Sequence, residues 1–198
     1  MIKLTRVDYR LIHGQVAMSW THALDVDCIL LASDAVAKDD MRKAALRLAR
    51  PSGVKLVIKD VDAAIEALNS GVTDKYSLFI IAETIEDVYR LAKGCKDIKE
   101  INLGGTRKTP ETTLHPTPAI FATEKDAEHI QELLGDGVAI EIRQVPNDAK
   151  VFAKDVFSRK HAGARYLLNR YSMSKPVDHL IDGLFIEEKS KKFEIVLA

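Results

Sequence analysis

Residues 2–16 read Ile2-Lys3-Leu4-Thr5-Arg6-Val7-Asp8-Tyr9-Arg10-Leu11-Ile12-His13-Gly14-Gln15-Val16. Ile2 to Val7 predicts a β-strand, and a helix is expected to open just beyond Gly14. The joint between them places a histidine among a cation, a carboxylate and a glycine. Imidazole is a competent nucleophile near neutral pH, and a guanidinium grips phosphate oxygens in a planar fork. Gly14 lets backbone N–H groups come close to an anion. The strand-to-helix joint therefore suits the holding of a phosphoryl group.

Working outward, the same strand-then-helix unit recurs. Strands are predicted at Ile2–Val7, Asp27–Ala32, Val54–Ile58, Ser77–Ala82, Ile98–Leu103, Ala119–Ala122 and Val138–Val145. Between them, apolar residues fall at helical spacing: Met41, Ala44, Ala45 and Leu48; Val61, Ala64, Ile65 and Leu68; Val88, Leu91 and Ala92; Ile130, Leu133 and Leu134. Thr84 with Asp87 and Thr123 with Asp126 resemble capping boxes. Such alternation implies an α/β fold: a single domain with a mostly parallel central sheet flanked by helices on both faces. The domain is expected over residues 1–157, with 158–198 as a C-terminal extension in which Ala162–Tyr171 extends the preceding helix and Phe193–Leu197 forms a late strand.

Ligands of open α/β sheets bind at the carboxyl ends of the strands. Three loops are expected there: Asp8 to Gly14, Ser33-Asp34, and Gly104-Gly105-Thr106-Arg107-Lys108. Lys108 to Pro118, with three prolines and four threonines, reads as a loop.

The 198 residues are 46% hydrophobic and 29% charged, and 29 basic residues balance 29 acidic ones. No global field draws the chain to nucleic acid or to an anionic membrane. The longest apolar runs, Cys28 to Ala32 and Leu78 to Ala82, fall far short of the roughly 20 residues of a membrane span. No signal-peptide core is visible at the N-terminus, so a cytoplasmic protein is expected, with Cys28 and Cys95 as buried free thiols. Neither Gly-x-Gly-x-x-Gly after the first strand nor Gly-x-x-x-x-Gly-Lys-Ser/Thr is present, which argues against a nucleotide-binding enzyme.

The stretch Arg6 to Val16, with its central Leu-Ile-His-Gly-Gln, resembles the active-site motif of the enzyme IIB components of the mannose/sorbose family of the sugar phosphotransferase system. The likeness continues in order through Trp20-Thr21, Ser33-Asp34, Val36 with Arg42-Lys43, Ile101 to Gly105 and the strand after Gly137. It implies that His13 carries a transient phosphoryl group, on Nδ1 and not on a cysteine. The group is taken from phosphorylated enzyme IIA and given to a sugar during uptake through membrane components IIC and IID. The sugar is then held by the membrane component, and the chain would lie at the inner face of the membrane through its partners. A homodimer is compatible with the family. No metal, cofactor or nucleic acid is implied.

By this reading His13, Arg10 and Asp8 are catalytic, and Gly14, Gln15, Gly104, Gly105 and Thr106 bind phosphate. Arg10 balances charge, and Asp8 either holds Arg10 or orients the imidazole. Arg107 and Lys108 meet an acidic partner or the phosphate itself. Alternatives remain open for several positions: Asp34 as an N-cap, Gly104-Gly105 as a tight turn only, and the remaining histidines as surface or core residues. Three positions depart from the family pattern: Tyr9 stands where a second aspartate is common, and Arg107-Lys108 stand where a hydrophobic and aromatic pair is frequent. A regulatory protein of the same fold, phosphorylated but never passing phosphate to a sugar, is the competing function.

Overall fold

The computed structural model describes residues 1–157, and the expected helix and strand beyond residue 158 lie outside them. Its framework is a seven-stranded sheet. In chain order its strands are β1 (Ile2–Asp8), β2 (Cys28–Ala32), β3 (Lys55–Lys59), β4 (Leu78–Ala82), β5 (Glu100–Gly105), β8 (Ala139–Ile142) and β9 (Val151–Phe152). They lie in the order β3-β2-β4-β1-β5-β8-β9, parallel except for the antiparallel β9 at one edge. The expected mostly parallel sheet is therefore present.

Period-two alternation in the central strands feeds two cores, because successive side chains of a strand point to opposite faces. Cys28, Leu30 and Ala32 of β2 and Leu78, Ile80 and Ala82 of β4 join one core. Helices α4 (Val61–Asn69), α5 (Ile85–Gly94) and α6 (Glu124–Gly135) cover it through Ala64, Leu91 and Ile130. Ile29, Leu31, Phe79 and Ile81 join the other core. There Trp20 of α1 (Gly14–Leu24), Val36 of α2 (Asp34–Ala37) and Leu46 of α3 (Asp40–Ala49) pack.

The topology produces a crevice at the end of β1. The chain leaves β1 toward the α1 face, whereas it leaves the neighbouring strands β4 and β5 toward helices of the opposite face. Such a switch point parts the loops at the carboxyl ends of the strands.

Several boundaries differ from expectation for identifiable reasons. The loop predicted over Lys108–Pro118 contains β6 (Leu114–Thr117), which pairs antiparallel with β7 (Ile120–Ala122) in a separate two-stranded sheet. A two-stranded ribbon leaves one edge of each strand unpaired, so Pro116 loses no ladder bond by lacking an N–H. β5 runs two residues further than predicted because Gly104 and Gly105 continue the strand. The late strand is shorter than predicted, and the chain after it turns back as β9 and the short helix α7 (Ala153–Val156). Asp34 is not the cap of the second helix. Ser33 caps α2 by accepting from the Val36 amide, while Asp34 accepts from the Val61 amide and pairs with Arg90.

Thr123 and Asp126 form the full reciprocal capping box at α6, and Thr84 caps α5. Thr123→Ala is expected to cost about 1 kcal/mol of stability in urea unfolding, with little change in helix content.

Candidate active site

At the centre of the sheet, β1 carries Arg6 and Asp8 on the face covered by α1, two residues apart and side by side. Their ion pair is sealed: the side chains are 2% and 0% exposed, and Arg6 Nη2 lies 2.9 Å from Asp8 Oδ2. A buried charge is tolerated only when paired and hydrogen-bonded, and every neighbour of Arg6 serves that requirement. Its Nη1 donates to Asn102 Oδ1 and, at 3.3 Å, to the Arg143 carbonyl, and its Nη2 also donates to the Gln144 carbonyl at 3.1 Å. The guanidinium lies over the Trp20 ring, whose indole N–H donates to the same Gln144 carbonyl.

Gly104 makes room for this arrangement. Pairing steps from Val7–Leu103 to Asp8–Gly105, so Gly104 has no partner on β1 at the irregularity. A Cβ added there would stand inside the Arg6 guanidinium. The missing side chain of Gly104 thus accommodates Arg6, a role distinct from the phosphate binding expected of it. Gly105 is buried too, and its carbonyl accepts from the Tyr9 amide. Thr106 is likewise committed elsewhere. Its hydroxyl donates to the Phe121 carbonyl and accepts from the Phe121 amide, both at 2.6 Å, tying β5 to β7.

Asp8 is the hub. Oδ2 receives Arg6 and, at 3.1 Å, His13 Nε2, while Oδ1 accepts from the Arg10 amide at 3.1 Å and faces Arg10 Nε at 3.4 Å. One Asp8 oxygen thus contacts Arg10 and the other His13. Burial by itself pushes the Asp8 carboxyl up, but the Arg6 charge and the hydrogen bonds from His13, the Arg10 amide and Arg6 outweigh it. The carboxyl is held below its ordinary value and remains an acceptor only. Nε2 of His13 must then carry the proton in this contact, which leaves the Nδ1 lone pair for chemistry.

His13 itself is the N-cap residue of α1, 23% exposed, in extended backbone. Two left-handed residues shape its approach: Leu11 at φ 60° and Gly14 at φ 41°. Leu11 is buried, and a bulky residue in that conformation is strained. No side chain caps α1 and no acidic residue stands in its first turn. The amides of Gly14 and Gln15 belong to that first turn, which in α2 to α6 is satisfied by Ser33, Asp39, Asp60, Thr84 and Thr123. The open helix end beside His13 suits an anion.

His13, Arg10, Asp8 and the start of α1 thus come together as expected. Ser33 does not join them: its hydroxyl donates to Glu83, which also pairs with Arg42. His115 stacks on Phe121, and His129 stacks on Tyr89, as structural residues. Arg6 and Asn102 were missed as site residues. The available signal was Arg6 at an inward position of a strand otherwise suited to the core, which demands a buried counter-ion.

A family model for the "PTS system sorbose subfamily IIB component" matches residues 2–165. The chain belongs to that family. This IIB chain is 34% identical over 165 residues to the sorbose-specific EIIB component of Lacticaseibacillus casei, covering 81% of this chain and 99% of that protein. It is 35% identical over 159 residues to the mannose-specific EIIAB component of Escherichia coli K12, covering 80% of this chain but spanning only 49% of that longer relative. The crystal structure of the IIBSor domain of the Klebsiella pneumoniae sorbose permease superposes with a TM-score of 0.74 at 28% identity, covering 78% of this chain and 94% of that one. Among the described residues of the IIB chain no helix is long and apolar enough to cross a membrane.

Asp8→Asn leaves Arg6 buried without its counter-charge, an expected loss of about 3 kcal/mol or more. Because the folded Asp8 carboxyl lies below its unfolded value near ~3.9, its stabilisation is present above that pH and drains away as pH falls through it. The variant should show a flatter acid limb in urea unfolding measured from neutral pH downward. Gly104→Ala should destabilise by about 1–3 kcal/mol, since the buried guanidinium has no free direction in which to move.

Proposed function

We propose that the chain is the phosphoryl-relay subunit of a sugar phosphotransferase system, with His13 as the group that is transiently phosphorylated. The observation that carries the reading is the 3.1 Å contact between His13 Nε2 and the buried Asp8 carboxylate, which presents Nδ1 as the nucleophile at an uncapped helix N-terminus. Membership of the sorbose-type IIB family supports it.

In the first step Nδ1 of His13 attacks the phosphorus of a phosphohistidine on enzyme IIA. The new N–P bond forms as the donor's N–P bond breaks. In the second step a sugar hydroxyl gives its proton to a base of the membrane component or to water and attacks the same phosphorus, the Nδ1–P bond breaks, and the electron pair returns to the imidazole. The proton on Nε2 stays against Asp8 throughout, so the ring enters and leaves each step in one tautomer. Phosphoryl transfer of this loose kind needs alignment and neutralisation of the equatorial oxygens more than covalent assistance. Arg10, 41% exposed and steadied from behind by Asp8, can turn its terminal amino groups toward those oxygens. Amides of Gly14 and Gln15 add the helix end.

The donor is phosphorylated IIA and the acceptor a sugar held by membrane components IIC and IID, which places the chain in the cytoplasm at the inner membrane face. Incubation with phosphorylated IIA should give an acid-labile, base-stable label on the wild-type protein and none on His13→Ala. Full labelling of that variant would refute the assignment. Adding membranes with the cognate IIC and IID should discharge the label only when the transported sugar is present; label that persists with every sugar would instead favour a regulatory protein.

A further inference from the structure

Three cations stand outside the buried pair at this end of the sheet. The Arg10 side chain meets Asp8 only through Nε at 3.4 Å, and neither terminal amino group has an acceptor among the described residues. Arg107 and Lys108 are exposed and have no carboxylate partner among the described residues. Asp8 cannot neutralise them, because Arg6 already takes up its charge.

Tyr9 brings two of these cations together. The Arg10 Cζ lies 5.4 Å from the centre of the Tyr9 ring, and the Arg107 Cζ, from the loop after β5, lies 5.8 Å from the same centre. Two like charges on adjoining loops repel unless something between them attracts both, and an aromatic face does so. The ring is itself fixed. Its backbone amide donates to the Gly105 carbonyl, and the ring lies beside Gly105, where an added Cβ would stand in ordinary contact 3.8 Å away. The Tyr9 hydroxyl makes no hydrogen bond among the described residues, so the ring and not the phenol performs this role.

We propose that Tyr9 is a positioning residue whose ring braces Arg10 and Arg107 into one cationic rim that receives the phosphoryl dianion at His13. The inference rests on the phosphoryl-relay reading and adds Arg107 to the groups that hold the anion. A carboxylate at position 9 would neutralise one arginine, whereas the ring holds both and leaves their charge for the ligand. Arg10 is tied to Asp8 and through it to His13, so the rim is continuous with the nucleophile.

The test uses the full chain and two small probes with no docking surface. Inorganic phosphate is titrated while the His13 ring resonances are followed by NMR. Phosphoramidate then phosphorylates His13, the Nδ1–P bond forming as the P–NH2 bond breaks with release of ammonia, and rates are read against its concentration. Arg107→Ala and Tyr9→Leu should each weaken phosphate binding and raise the KM for phosphoramidate by about two- to fivefold. Tyr9→Phe should match the wild type in both. Arg107→Ala should also flatten the salt dependence of phosphate binding. Unchanged phosphate affinity and salt dependence in Arg107→Ala overturns the inference, as does a defect seen only with phosphorylated IIA, which would make the rim a protein-docking surface. Failure of wild-type His13 to be phosphorylated by either donor would instead overturn the underlying reading.

Discussion

One buried ion pair governs this end of the molecule. Arg6 and Asp8 lie in the central strand of a parallel sheet, where water does not reach them, and a charge so placed must be answered at every donor and acceptor. That requirement explains features that are far apart in the chain. Asn102 and the carbonyls of Arg143 and Gln144 supply acceptors, the Trp20 ring supplies a face, and Gly104 supplies space. The loop after β8 is thereby tied to β1 and α1, and Asp8 is left with a single orientation in which one oxygen faces His13.

The sheet topology then determines what that orientation achieves. The chain departs from β1 toward α1 and from β4 and β5 toward the opposite layer, so His13 stands where the loops part. The same turn that exposes His13 leaves the start of α1 without a side-chain cap, in contrast to α2 through α6. Rigid support from below and an open, electropositive helix end above are complementary demands of phosphoryl transfer. In the proposed relay the imidazole is aimed by the one and the phosphate arrives and leaves by the other.

Much of this was legible in residue patterns, and the exceptions have physical causes. The central strands were read within a residue or two because β2 and β4 are apolar on both faces, a pattern only a doubly covered strand produces. β6 was hidden by Pro116, since a two-stranded ribbon tolerates a residue that a wide sheet would reject. The glycines at 104 and 105 suggested a loop approaching a phosphate; what the sequence could not show is that Gly104 also makes room for the buried Arg6 guanidinium, whereas at Gly105 a Cβ would stand in ordinary contact with the Tyr9 ring. Thr106 carried the right hydroxyl for an anion, but the nearby β7 backbone claims both its donor and its acceptor capacity.

By itself the sequence determined the α/β class, the parallel order of strand and helix, and the identity of His13, Arg10 and Asp8 as a group. These are set by local periodicity and by one short motif, in which neighbours in the chain are also neighbours in space. Only the tertiary structure decided which nitrogen of His13 faces Asp8, why Gly104 must be glycine, and that the Tyr9 ring meets both Arg10 and Arg107. The contacts of Arg6 with Gly104 and of Tyr9 with Arg107 join the end of β1 to residues about a hundred positions away, across strands that meet only when the sheet assembles.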